Sequence, residues 1–424
     1  MRSGLSLSNV LLNNESAILQ QGRNVTYHNL RFSVLAVCAL MALSLCVVPA
    51  SAGQKGAKWT FAIYMCSDND LDEWGYFNND MLMSVGSTKD VNFVVLWDKA
   101  AGPANAYKVS KGSMEELKDF EYNGKEINMG DPAVLKSFVS YLSSTFKSSY
   151  LLLDLWDHGD DFRGICYDYN TGTDASLDYL THQEIGDVLS GKPVSIIAAD
   201  GCGIGIVESA FEYVVHGVTA EFLVANENYV PLQGFPYDWI AADLVANPGM
   251  SPELLSKDMV QRYSEFYQKG WLTELTAIRL PAIANVVDQL WDVTSLLRAD
   301  MKAYRGLIAS GKGLATMGWS QYGWEGFVDF PTLFEVVYAG APEGSQLKVE
   351  AQELLSAIEL AVPYIGAATP GEVWDFGGIS VFFPSAEGSF NHNTFWRGAL
   401  YPTMQFAKDG WLEFLDCYFH ASCK

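Results

Sequence analysis

The chain has 424 residues, enough for one large domain or two smaller ones. Its hydrophobic content of 49% is that of a packed globular protein, not of a disordered tract. Against 27 basic residues stand 50 acidic ones, a net charge of -23, which argues against a nucleic-acid partner because phosphate binding needs clustered basic groups. The acidic surplus suits solubility and attracts cationic substrates.

The chain opens on a targeting pattern. Arg31 precedes a nearly unbroken apolar run from Val34 to Val48, followed by Pro49-Ala50-Ser51-Ala52. Charge, apolar core and small residues at Ala50 and Ala52 make a secretory signal with a cut expected after Ala52. The run is too short for a comfortable membrane span, so no stable membrane anchor is expected after its removal. The residues before it exceed a usual n-region, so the leader is extended or the true start is later.

Lys58 to Met65 reads as a first strand, ending in the polar turn Ser67-Asp68-Asn69-Asp70. That acidic turn is short of a full calcium loop and reads as a solvated turn. Val91 to Trp97 is a second strand. Asn128-Met129-Gly130-Asp131-Pro132 predicts a helix start, with Asp131 as cap and Pro132 in the first turn. Ser149 to Trp156 is a third strand, running into Asp157-His158-Gly159-Asp160. Gly164 to Ser176 is read as a polar loop. Ser195 to Asp200 is a fourth strand, stopping at Gly201-Cys202-Gly203 before a helix from about Ile204 to Val215. Phe222 to Ala225 is a fifth strand. Helices are expected over Pro252–Tyr267, Ala284–Tyr304 and Gln346–Val362, with strands near Leu272–Leu280 and Gly378–Pro384.

Strands alternating with helices predict an α/β fold on a mostly parallel sheet, with ligands at the carboxyl ends of the strands. The divisions expected are a leader over 1–52, a core over 53–245, and a C-terminal elaboration of helices and strands packed on it over 246–424. If the third and fourth strands are neighbours, His158 and Cys202 meet at one edge. A cysteine at a strand end beside a helix N-terminus is expected to have a lowered thiol pKa.

A thiolate nucleophile with a histidine in reach is the simplest catalytic pair here, and Gly159 and Gly201 let backbone approach a substrate carbonyl. The plainer reading, a structural cysteine and an ordinary histidine, is countered by their shared placement in glycine-flanked turns. His182 reads as a helix-start residue, His216 as a helix-end residue, and His392 and His420 fall far along the chain. A metal site from His158, Asp157 and Asp160 lacks further placeable ligands, so no metal is assigned. After loss of Cys38 and Cys46 with the leader, five cysteines remain. Cys417 with Cys423, and Cys66 with Cys166, form candidate disulfides that leave Cys202 free; five reduced thiols is the other possibility.

The segments Leu155-Trp156-Asp157-His158-Gly159 and Asp200-Gly201-Cys202 resemble the clostripain family of cysteine peptidases, which share the caspase-like fold. Trp59 to Asp72, Asn128 to Leu135, Val224 to Glu227, Gly234 to Tyr237, Gly378 to Pro384 and Trp411 to Leu415 extend the resemblance over nearly the whole mature chain. The resemblance implies a caspase-like three-layer sandwich. It implies a dyad of His158 and Cys202 with no essential third member, and an oxyanion hole at the amides of Gly159 and Cys202. It also implies a secreted endopeptidase cutting peptide or protein substrates after Arg or Lys. Asp200 best matches the acid of the specificity pocket, with Glu227 as second candidate. No cofactor is required by these residues, and calcium dependence occurs in part of the family. Gly203-Ile204, Asn226 and the acidic run Gly159-Asp160-Asp161 depart from the family pattern. The alternative function is a secreted binding or surface protein on a degenerate scaffold of the same kind.

Overall fold

The computed structural model describes residues 56–171, 177–268, 271, 273–316, 326–367, 376–384, 400–420 and 423. The expected leader, the end of the loop expected over Gly164–Ser176, and His392 lie outside the described residues.

One nine-stranded sheet organises the chain. Its centre is the parallel set β1 (Ala57–Ser67), β2 (Val91–Lys99), β5 (Ser148–Trp156), β8 (Ile196–Asp200) and β9 (Phe222–Ala225). The strand order is β12-β10-β9-β8-β5-β1-β2-β3-β4. β3 (Asn105–Ser110) and β4 (Ser113–Glu116) close one edge antiparallel, and β10 (Glu274–Arg279) and β12 (Tyr364–Ala367) close the other. The central strands are continuous apolar runs because both faces are covered, as parallel sheets require.

The alternation in β1 shows the three layers. Ala62, Tyr64 and Cys66 face one core, with Phe138 of α2 (Pro132–Thr145), Ile185 of α3 (His182–Leu189) and Phe211 of α4 (Val207–Val215). Phe61, Ile63 and Met65 face the other, with Leu82 of α1 (Asp72–Val85), Ile240 of α5 (Tyr237–Ala246) and Met259 of α6 (Pro252–Phe266). Each large side chain buried this way contributes roughly 1.5–3 kcal/mol. This is the three-layer α/β architecture expected from the sequence.

The C-terminal part includes α7 (Leu280–Ala299), α8 (Met301–Ala315), α9 (Phe330–Gly340), α10 (Gln346–Ala361) and α11 (Leu412–His420). It is latched behind the fourth central strand. Glu208 of α4 accepts from the Phe382 amide and the Tyr401 hydroxyl, both at 2.9 Å. The short pair β11 (Phe327–Asp329) and β13 (Ser380–Phe382) lies at this latch, where Ser380 N–H donates to Gly205 carbonyl at 3.2 Å.

Four expectations are corrected. The helix expected over Ala284–Tyr304 is two, α7 and α8, because Asp300 leaves helical geometry (φ -138°, ψ 56°) and its side chain caps the second through Ala303 N–H. The loop expected from Gly164 carries β6 (Gly164–Asp168), paired with β7 (Asp178–Thr181). The helix expected from Ile204 starts at Val207, because Gly203 and Gly205 donate to Asn228 and Asn226 carbonyls instead of coiling. Cys66 and Cys166 are free, fully buried thiols, and Cys417–Cys423 is the disulfide among the described residues.

Candidate active site

β5 and β8 are adjacent and parallel, with Trp156 opposite Asp200, so the turns carrying His158 and Cys202 emerge side by side. Both residues line one cavity of about 100 Å³, with Leu71, Trp156, Val230 and Leu232 among its walls.

Glycine is required in these turns for two different reasons. Gly203 has φ +69°, a left-handed conformation costly for other residues, and it turns the chain straight after the thiol. At Gly159 the constraint is space. A Cβ there would lie 2.4 Å from the Cys202 carbonyl oxygen and 2.8 Å from its amide nitrogen. A Cβ on Gly201 would lie 3.2 Å from the Gly159 amide nitrogen. The backbones bearing the Gly159 and Cys202 amides are therefore packed against each other.

The Cys202 thiol is half-buried and held by the main chain of Val230, whose N–H donates to Sγ at 3.4 Å. Burial pushes this thiol up to about 12, and the Val230 amide works in the opposite direction. The lowered pKa expected at a helix N-terminus is thus corrected: the helix begins at Val207, and desolvation dominates.

His158 Nε2 lies 2.8 Å from Asp70 Oδ1. An ionised carboxylate only accepts, so Nε2 carries the proton and Nδ1 is the basic nitrogen. Asp70 was legible only as part of a polar turn. The structure folds that turn back onto the His158 loop through Asn69, which donates to Asp157 Oδ1 at 2.7 Å and to the Tyr167 carbonyl at 2.9 Å.

Asp200 lies at the same cavity. Its Oδ2 accepts from Phe235 N–H at 2.8 Å and Tyr237 hydroxyl at 2.9 Å, while its buried Oδ1 has no hydrogen-bond partner. The Tyr237 hydroxyl is also 2.7 Å from Asp154 Oδ2. One hydroxyl has one proton, so a carboxyl proton must complete this arrangement. Burial raises Asp200 to about 7 and, with the neighbouring Asp200 charge, holds Asp154 well above the carboxylate range. Asp154 was missed by sequence reasoning, although a lone acid inside an apolar strand is itself a signal. Tyr237 had none.

Glu227 is not among the residues lining the cavity. It is buried, its Oε1 accepts from Gly378 N–H at 2.9 Å, and the acids Asp329 and Glu274 are its neighbours. His158, Asp157 and Asp160 do not converge on a metal. His158 contacts Asp70, Asp157 contacts Asn69, and Asp160 pairs with Arg163 at 2.5 Å. His182 does start a helix but is buried, between the Tyr213 hydroxyl (2.9 Å) and the Asp161 carbonyl (2.7 Å), and burial lowers it to about 4.

Among solved structures, the fold is similar to that of an inactive zymogen C11 protease from Parabacteroides distasonis. The TM-score is 0.64 at 17% identity, covering 84% of this chain and 99% of that one. It is also similar to a secreted C11 cysteine protease from Bacteroides thetaiotaomicron bound to an irreversible peptide inhibitor. There the TM-score is 0.61 at 15% identity, with the same coverage of 84% and 99%. Clostripain of Hathewaya histolytica is 30% identical over 49% of this chain and 46% of its own length, so the chain spans about half of that curated relative. The model of the Clostripain family matches residues 63–325, more than half of the chain, and the chain belongs to that family.

Proposed function

We propose that this protein is a secreted cysteine endopeptidase that cleaves peptide bonds after Arg or Lys through Cys202 and His158. The observation that carries the reading is the cavity they share, with a buried, unpartnered carboxylate oxygen of Asp200 beside the nucleophile. A carboxylate with a free acceptor in a partly closed pocket selects a long cationic side chain, because a neutral one leaves that acceptor unpaired.

In the proposed reaction, Sγ of Cys202 attacks the scissile carbonyl carbon as His158 Nδ1 takes the thiol proton. The raised thiol pKa fits a resting thiol that loses its proton as the substrate binds. The carbonyl oxygen becomes an oxyanion facing the Gly159 and Cys202 amides. As the C–N bond breaks, His158 returns the proton to the leaving amine, leaving a thioester on Cys202. Water, deprotonated by His158, hydrolyses the thioester and releases the acid product and the thiol. Asp70 holds Nε2 and so aims Nδ1. Glu227 has no part in the pocket as proposed. No step requires a cofactor.

Secretion is supported by the leader pattern before Ala52 and by the secreted B. thetaiotaomicron protein of the same fold. Among the described residues no helix is long and apolar enough to cross a membrane.

The test is hydrolysis of Arg- and Lys-containing fluorogenic peptides by the mature protein and by Cys202→Ala. Cleavage by the first and none by the second is expected; absence of cleavage by the intact protein sinks the specificity claim. The degenerate-scaffold reading has one observation in its favour, the raised thiol pKa. Labelling of Cys202 by a thiol-directed Arg peptide inhibitor separates the two, since an inert thiol stays unlabelled.

A further inference from the structure

An ionised carboxylate offers lone pairs on two oxygens, and at Asp200 the fold has already used those of one. Phe235 N–H donates to Oδ2 at 2.8 Å and the Tyr237 hydroxyl does so at 2.9 Å. With Asp200 ionised, the single Tyr237 proton lies toward Oδ2, and Asp154, whose Oδ2 is 2.7 Å from the hydroxyl, donates its own proton to the hydroxyl oxygen. Main chain closes the same side. Gly234 packs so closely on Asp200 that a Cβ there would lie 2.4 Å from Oδ2 and 3.2 Å from Oδ1. This wall is tied down twice. The Tyr267 hydroxyl donates to the Gly234 carbonyl at 2.6 Å, and Asn78 of α1 donates to the Gln233 carbonyl at 2.9 Å. What Asp200 still offers is Oδ1, buried and without a hydrogen-bond partner. The cavity that Asp200 lines is small, about 100 Å³, and apolar Leu71, Trp156 and Leu232 are among its walls.

The two basic side chains make different demands on such a site. A guanidinium is a planar fork whose paired hydrogen bonds need both oxygens of a carboxylate. An ammonium is a compact point charge that a single oxygen serves, carried on a flexible apolar stem that suits apolar walls. We propose that Asp200 is a one-oxygen acceptor and that Tyr237, by occupying Oδ2, sets the pocket for lysine ahead of arginine. The proposal rests on the peptidase reading and narrows it from basic side chains in general to one of the two. Tyr237 is a positioning residue. It does not line the cavity, and it acts on the substrate through Asp200 alone. Removing its hydroxyl opens a lone pair on Oδ2 and gives arginine a second acceptor.

The test compares two peptides that differ only in Lys or Arg before the scissile bond. Their kcat/KM values are measured on the mature protein, and their binding to Cys202→Ala is measured by fluorescence anisotropy. Both peptides carry one positive charge, so the titration of Asp200 cancels in the ratio. The arginine complex forgoes one charge-assisted hydrogen bond, so lysine should be favoured on the order of tenfold in both readouts. In Tyr237→Phe the ratio should shift toward arginine by about threefold or more. A purely structural loss would weaken both peptides alike and leave the ratio where it was. If the variant does not fold, the wild-type ratio alone decides. A wild-type ratio at or below one, or a ratio unchanged in the folded variant, overturns the proposal, and cleavage of both peptides in that case leaves the peptidase reading standing. Cleavage of neither, with tighter binding of the lysine peptide to Cys202→Ala, refutes the peptidase reading alone. Peptides neither bound nor cleaved refute both.

Discussion

The Asp154–Tyr237–Asp200 arrangement makes a pH-dependent prediction about selectivity. Asp200 is raised to about 7, so it is ionised above that pH and protonated below it. Attraction for a cationic substrate side chain is therefore present at alkaline pH and lost as the pH falls through about 7. The perturbation is Tyr237→Phe, which keeps the buried ring and removes one hydroxyl, 2.9 Å from Asp200 and 2.7 Å from Asp154. A hydrogen bond to a charged group is worth about 1.5–3 kcal/mol, and one pKa unit about 1.4 kcal/mol. The hydroxyl is shared, so its share at Asp200 is at the lower end, and the variant's Asp200 should titrate about one unit higher. The assay is kcat/KM for a peptide with Arg before the scissile bond, divided by kcat/KM for the same peptide with an uncharged residue there, against pH. Titration of Cys202 and His158 affects both substrates and cancels in the ratio. The wild-type ratio should rise through pH 7 and the variant's through pH 8. A ratio independent of pH, or one unmoved by Tyr237→Phe, refutes Asp200 as the specificity acid.

Asp70→Ala should lower kcat with KM nearly unchanged. The Asp70 side chain is 71% exposed, so the contact is worth at most about 1 kcal/mol, a loss of up to about fivefold. A fall in Tm with kcat unchanged would make the contact structural instead. Thiol titration of the mature chain under denaturing, non-reducing conditions should count three free groups, Cys66, Cys166 and Cys202. One thiol would restore the Cys66–Cys166 pair, and five would remove the Cys417–Cys423 bond.

The central strands were legible because apolar runs bounded by polar turns are local features, and Val91–Trp97 and Phe222–Ala225 lie where they were expected. The β3–β4 hairpin was not, since Ser113-Met114-Glu115-Glu116 is a largely exposed edge with no buried face to imprint a pattern. His158 and Cys202 were legible as residues in glycine turns. Their convergence was not, because it depends on β5 and β8 being neighbours, a fact of strand order.

The Gly201-Cys202-Gly203 turn shows where local and tertiary information part. The sequence by itself determined the family, the sheet-end position of the cysteine and the need for small residues around it. It could not determine the thiol's electrostatics. A helix start five residues after Cys202, at Val207, removes the expected dipole, and walls supplied by Leu71, Val230 and Leu232 supply desolvation in its place. The acids behave the same way. Asp70, Asp154 and the trio Asp68, Asp98 and Asp168 read along the chain as turn residues or strand interruptions. Only the folded chain brings Asp70 to His158 and Asp154 to Asp200, and removes Asp68, Asp98 and Asp168 from water. Charge interactions depend on distance and burial, and both are properties of the folded chain rather than of residue order.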